Sequence, residues 1–149
     1  MRTILTIAAG FFLIMLVAAK SPENSKAITG TTTIEFNKAS WNDVLALAKK
    51  ENKPIFLDIS ASWCGYCKKM KSTVFTDAEV SKYYNSTFIN VSVDAEKGEG
   101  VMLAKRYGVK GYPTFVFLNP DGELIMQTSG YRAPGEFLKL GKTATNKLK

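Results

Sequence analysis

The chain has 149 residues, 46% of them hydrophobic and 22% charged, with a formal net charge of +7. That length suits one domain able to bury a real core, and the balance of residue types is that of an ordinary globular protein. Low-complexity tracts and internal repeats are missing, which excludes a disordered tail or a solenoid. Nucleic acid is not an expected partner, because the lysines are scattered and no dense arginine run with interleaved aromatics occurs.

Residues 1–19, "MRTILTIAAGFFLIMLVAA", have one basic residue at position 2, an apolar run from Ile4 to Val17 and small residues at 17–19. This is the layout of a secretory signal, with cleavage after Ala19. The alternative is an uncleaved N-terminal anchor, although the run is shorter than the roughly 20 apolar residues that span a bilayer. A lipoprotein anchor is excluded because no cysteine follows the run. Loss of Arg2 with the signal would lower the net charge by one, to +6.

Residues 20–30, "KSPENSKAITG", read as a linker, and 31–149 as the folded domain. "TTTIEF" (31–36) is β-branched and predicts a short strand. Ser40 can cap a helix whose Trp41, Val44, Leu45, Leu47 and Ala48 share a face. Pro54 opens "PIFLDIS", too continuously apolar to be half-exposed and therefore a central strand. The two cysteines follow at its C-terminal end and should begin a helix.

Asp77 can cap a further helix over "AEVSKYYN", and "FINVSVD" (88–94) predicts a buried strand. "EKGEG" (96–100) reads as a loop and "VMLAKRYG" as a short helix closed by Gly108. "TFVFL" (114–118), the turn "NPDG" and "ELIMQT" (123–128) make a hairpin, and Pro134 starts a last helix through Phe137, Leu138 and Leu148. Helices between the early strands require parallel crossovers, while the final hairpin is antiparallel. The expected class is α/β: a central mixed sheet with helices on both faces. "NST" (85–87) and "NVS" (90–92) match glycan acceptors, but the second falls on a buried strand and chance explains both.

Cys64 and Cys67 are the only cysteines, and there is no histidine. As a staple they would do little, since a four-residue loop is worth only about 2 kcal/mol. A zinc site would need two further ligands from carboxylates or a second molecule, and haem attachment needs a histidine where Lys68 stands. A reactive dithiol fits better. Residues i and i+3 on a helix have Cβ atoms roughly 5–6 Å apart, close to the disulfide value of about 3.8 Å. A helix N-terminus stabilises a thiolate at Cys64, and Cys67, one turn inside, suits the resolving role. Lys68 and Lys69 add positive potential or simply solvate the helix.

"FLDISASWCGYCKKM", with Asp58 six residues before Cys64, resembles the strand–active-site–helix unit of the thioredoxin superfamily. "RYGVKGYPTFVFLNPDGE" (106–123) is similar to that family's second signature, with Gly111, Tyr112 and Pro113, and Gly130 stands where a glycine often follows the last strand. The resemblance covers residues 31–148 and implies a thioredoxin fold. "CKKMKSTVFTDAEV" looks closer to exported bacterial branches, among them the C-terminal domain of the DsbD reductant transporters, which implies a periplasmic protein, free or tethered by its N-terminal segment. Three departures stand out. The motif interior is Gly65-Tyr66; Asn90 takes the place of the lysine that often neighbours the buried acid; and Ser72 falls near the proline that kinks the active-site helix.

The resemblance implies roles residue by residue. Cys64 would be the nucleophile, Cys67 the resolving thiol and Asp58 the proton relay; the alternative for Asp58 is a water-exposed, idle strand end. Pro113, in cis, would present the backbone of Tyr112 to an extended substrate. Trp63, Gly65 and Tyr66 would complete the docking surface, with core packing a rival for Trp63. No cofactor and no metal are implied. Protein or peptide disulfides are the expected partners, with electrons from a membrane donor, for a monomer acting as a reductase. Alternatives are a redox-inert binding or chaperone module and a disulfide oxidase or isomerase.

Overall fold

The computed structural model describes residues 33–148. The signal or anchor reading, the linker and the first two residues of the expected initial strand lie outside them. Ser40 caps α1 (Trp41–Glu51): its hydroxyl accepts from the Asp43 N–H at 3.3 Å and donates to the Asp43 carboxylate at 2.6 Å. Trp41, Val44 and Ala48 form the buried face, with Leu45 and Leu47 half-buried at its margins.

β1 (Ile55–Ser60) is buried along its whole length and pairs on both sides. It runs parallel to β2 (Ile89–Asp94) and antiparallel to β3 (Thr114–Leu118), and β3 continues to the antiparallel β4 (Leu124–Ser129). The order is β2-β1-β3-β4. Since side chains alternate across a strand, Phe56, Asp58 and Ser60 face one side and Ile55, Leu57 and Ile59 the other. On the second face, β1 packs with Val116 and Leu118 against α1 and against Leu103 of α4 (Glu99–Arg106). On the first face, Phe56, Phe115 and Phe117 meet α3 (Ala78–Thr87) and α5 (Pro134–Asn146). Tyr84 of α3 stacks on Phe137 of α5 at 4.7 Å between ring centroids and donates its hydroxyl to the Phe137 carbonyl at 2.8 Å. Helices cover both faces of the mixed sheet, as expected.

Three expectations need correction. Residues 33–36 form no strand; the chain meets the sheet at a single bridge, Asn37 opposite Val91. The backbone groups of this segment are satisfied elsewhere. Ile34 N–H donates to Phe75 O at 2.8 Å and Glu35 N–H to the Asn85 side chain at 2.9 Å, drawing Ile34 and Phe36 into the aromatic core. Residues 96–100 are not all loop, because α4 begins at Glu99. The Glu99 carboxylate accepts from the Trp41 N–H at 2.9 Å, and Gly100 is packed so tightly that a Cβ there would collide with the Asp94 carbonyl. Leu148 lies beyond the end of α5 and is exposed.

The active-site helix is composite. α2 (Gly65–Lys69) passes directly into a π-helical segment, Met70–Val74, where Phe75 N–H donates to Met70 O at 2.9 Å. Wide turns of this kind disturb the regular carbonyl pairing. Here Thr73 donates to Lys69 O at 2.7 Å and Thr76 to Ser72 O at 2.9 Å. The run of hydroxyl residues around Ser72 thus accompanies an irregularity where the resembling family places a proline. Met70 and Val74 remain buried, so the helix stays seated on the sheet.

Candidate active site

β1 carries the chain to one end of the sheet, and the next residues turn sharply, with Cys64 N–H donating to Ala61 O at 3.1 Å. Cys64 is the N-cap of α2: its Sγ accepts from the Cys67 N–H at 3.1 Å. The two cysteines form a disulfide with Cα atoms 5.3 Å apart. Both are largely covered, Cys64 at 6% and Cys67 at 3% exposure, and they pack with Ala61 and Tyr112. The position that distinguishes Cys64 is the helix cap, where unpaired N–H groups favour negative charge.

Around the disulfide the surface is aromatic. Trp63 is 65% exposed and Tyr66 63%, so the core-packing alternative for Trp63 is wrong. Trp63 sits edge-on to Tyr112 at 5.8 Å, and its indole N–H donates to Glu96 Oε1 at 2.9 Å. On the other side Tyr66 lies 6.3 Å from Tyr131, and the Lys69 ammonium stands 4.6 Å over the Tyr131 ring. Lys69 is therefore engaged by an aromatic face rather than merely solvating the helix. Gly65 leaves open space beside the disulfide, since a Cβ there would meet nothing within 4 Å. The Tyr112–Pro113 peptide is cis, and Pro113 is buried at the entry to β3.

Asp58 is not an exposed strand end. It is 1% exposed, with Phe115 opposite it on β3 and Ser92 opposite it on β2, and the Ser92 hydroxyl donates to its Oδ2 at 2.7 Å. Burial pushes the carboxyl up to about 6, against the lowering effects of the Ser92 hydrogen bond and of the Lys71 charge. Lys71 reaches inward to donate to Ser60 Oγ at 3.4 Å. Asn90 plays no part here. Its amide donates to Tyr84 O at 3.3 Å, Glu35 O at 3.4 Å and Asn85 Oδ1 at 3.2 Å, tying β2 to α3 and the N-terminal segment.

Four residues at or beside the site were not expected: Lys71, Ser92, Glu96 and Tyr131. Lys71 could have been found from its spacing, four residues after Cys67 and so on the same helix face. Ser92 needs the strand register, and Glu96 and Tyr131 carry no signal in the chain itself. Among the described residues no cluster of histidine, cysteine, aspartate or glutamate could hold a metal, and no helix is long and apolar enough to cross a membrane.

A disulfide at the start of the helix that follows the central strand, beside a cis-proline entering the adjacent antiparallel strand, defines a protein of the thioredoxin fold. Residues 41–145 match the family described as the thioredoxin-like domain, and the chain belongs to that family. It is 31% identical over 96 residues to the thiol:disulfide interchange protein DsbD of Yersinia pestis (strain Pestoides F), covering 62% of this chain and 16% of that one. The chain therefore spans about a sixth of the length of such relatives. Among solved structures, a candidate disulphide-isomerase from Bacteroides thetaiotaomicron is 41% identical with a TM-score of 0.69, covering 76% of this chain and 93% of that one. The C-terminal domain of Neisseria meningitidis DsbD in its oxidised form is 26% identical with a TM-score of 0.60, covering 74% and 98%.

Proposed function

We propose that this protein is an exported thiol–disulfide oxidoreductase that works as a reductase of protein or peptide disulfides. The observation that carries the reading is the Cys64–Cys67 disulfide set at a helix N-cap, with the Cys64 sulfur already accepting the Cys67 N–H. In the reduced protein that N–H stabilises a Cys64 thiolate. The thiolate attacks one sulfur of the substrate disulfide, forming a mixed disulfide and expelling the other as a thiolate that takes up a proton. Cys67 then gives its proton to Asp58 and attacks Cys64 Sγ. The mixed disulfide breaks, the second substrate thiolate leaves, and it too is protonated. Two electrons pass to the substrate, and the protein is left in the oxidised form described above.

Trp63, Tyr66 and Tyr112 are the docking surface in this scheme, with Gly65 leaving room for the incoming chain and Pro113 shaping the adjacent backbone. Regeneration requires an external dithiol, which we assign to a membrane electron donor, in keeping with the likeness to DsbD. The working unit is the thioredoxin-like domain from residue 31 onward, acting as a periplasmic monomer behind its N-terminal signal or tether. The test is to trap the intermediate. Reduced Cys67→Ser, mixed with a disulfide-containing peptide, should accumulate a peptide adduct on Cys64, seen by intact-mass spectrometry and reversed by dithiothreitol. No adduct under conditions that modify the Cys64 thiol with an alkylating reagent would refute the reading.

A further inference from the structure

Asp58 occupies a site that opposes its own ionisation. It is enclosed by the sheet, and the hydrogen bond to its side chain comes from a neutral hydroxyl, Ser92. Burial raises the midpoint of such a carboxyl toward neutral pH, and a cation nearby lowers it again. The place in the strand where the resembling family carries a lysine is Asn90, and Asn90 is committed to Tyr84, Glu35 and Asn85.

A cation reaches this region from a different element. Lys71 begins the second turn after Cys67, one residue into the π segment, on the helix face that lies over the sheet. Lys71 is an exposed residue, yet its ammonium reaches the hydroxyl of Ser60 at 3.4 Å. Ser60 is two residues beyond Asp58 on β1, so both side chains project from the same face of the sheet. Ser60 in turn donates to Val93 O at 3.4 Å, which fixes the hydroxyl that receives the lysine. The other elements packed around Asp58 contribute Ser92 and Phe115, neither of which is charged. Tyr84, on the same face, is a phenol that burial keeps neutral, and in the reduced protein the Cys64 and Cys67 thiols titrate at the end of β1.

We propose that Lys71 is a positioning residue for Asp58, supplying from the π segment a positive charge that favours the ionised carboxylate which receives the proton of Cys67. The proposal rests on the disulfide-exchange reading above. It also gives the irregular helix a use, since the segment that holds Met70 and Val74 in the core brings Lys71 to Ser60, two residues along β1 from the acid.

The test compares wild type with Lys71→Met and Lys71→Arg by two readouts. The first is the carbon-13 titration of the Asp58 carboxyl in the oxidised protein, which needs no activity; Asp58→Asn assigns the signal. Lys71→Met should raise the Asp58 midpoint by about half a pH unit, a shift moderated by solvent around the lysine, and Lys71→Arg should restore it. The second is the pH profile of peptide-disulfide reduction, whose acid limb should move upward with the carboxyl in Lys71→Met and return in Lys71→Arg. An unmoved Asp58 midpoint overturns the proposal and leaves the exchange reading standing. So does a midpoint that moves while the acid limb stays in place. A wild-type protein that exchanges no disulfides overturns the exchange reading, and the proposal with it.

Discussion

Asp58 and Ser92 face each other across the parallel β1–β2 pair, and the serine hydroxyl holds the buried carboxylate at 2.7 Å. One neutral hydrogen bond does not offset the loss of water, and the carboxyl titrates at about 6 instead of the ordinary 3.8.

Stability should therefore fall as pH rises. Between the unfolded value near 3.8 and the folded value near 6, the native state binds more protons than the unfolded one, so raising pH through that window favours unfolding. Below it Asp58 is neutral in both states and costs nothing; above it the full penalty, on the order of 3 kcal/mol, is present. Asp58→Asn should match wild type near pH 3.5 and be more stable by about 2–3 kcal/mol at pH 8. Urea unfolding at both pH values measures this, and equal stability at pH 8 would count against a strained carboxylate.

Tyr84→Phe removes one hydroxyl from the first-face core and keeps the ring that stacks on Phe137. Burial pushes the Tyr84 phenol far above its ordinary range, so it serves as a neutral donor to the Phe137 carbonyl. Its loss should cost about 1–2 kcal/mol with an unchanged denaturant slope. A cost near zero would mean that water replaces the bond.

Trp63→Ala should separate docking from folding. The indole is exposed, with an exposed hydrogen bond to Glu96 and an edge contact to the half-buried Tyr112, so stability should change by no more than about 0.5 kcal/mol. Reduction of a protein disulfide should weaken about tenfold in kcat/KM, the scale of an aromatic anchor at an interface, while reduction of a small aliphatic disulfide changes little. Equal losses on both substrates would place Trp63 in the chemistry instead.

The direction of electron flow is read from the reduction potential. Equilibration with glutathione should give a value at or below about −200 mV if the protein is a reductase. A value near −120 mV, that of a strong oxidant, would reverse the proposed direction while leaving the exchange chemistry intact.

The order of elements was legible because each rests on local signals. Ser40 and Asp77 cap their helices as their side chains allow, and the mostly apolar run of β1 marks it as central. The cysteine pair was legible from spacing and from the lack of any histidine. What escaped depends on distant partners. "TTTIEF" has strand chemistry, but Phe75 and Asn85 take its backbone groups, and no local pattern announces that. Asn90 and Ser92 both sit on β2, and only the register shows that Ser92 meets the acid. Lys71 is one of many scattered lysines in the sequence, and only the fold brings it to Ser60.

Disulfide exchange by this protein depends on Cys64 as the reacting thiol. Insulin-disulfide reduction driven by dithiothreitol should be accelerated by the wild-type protein and fall to the uncatalysed rate with Cys64→Ser. Equal turnover by the two proteins would rule out Cys64 as the nucleophile.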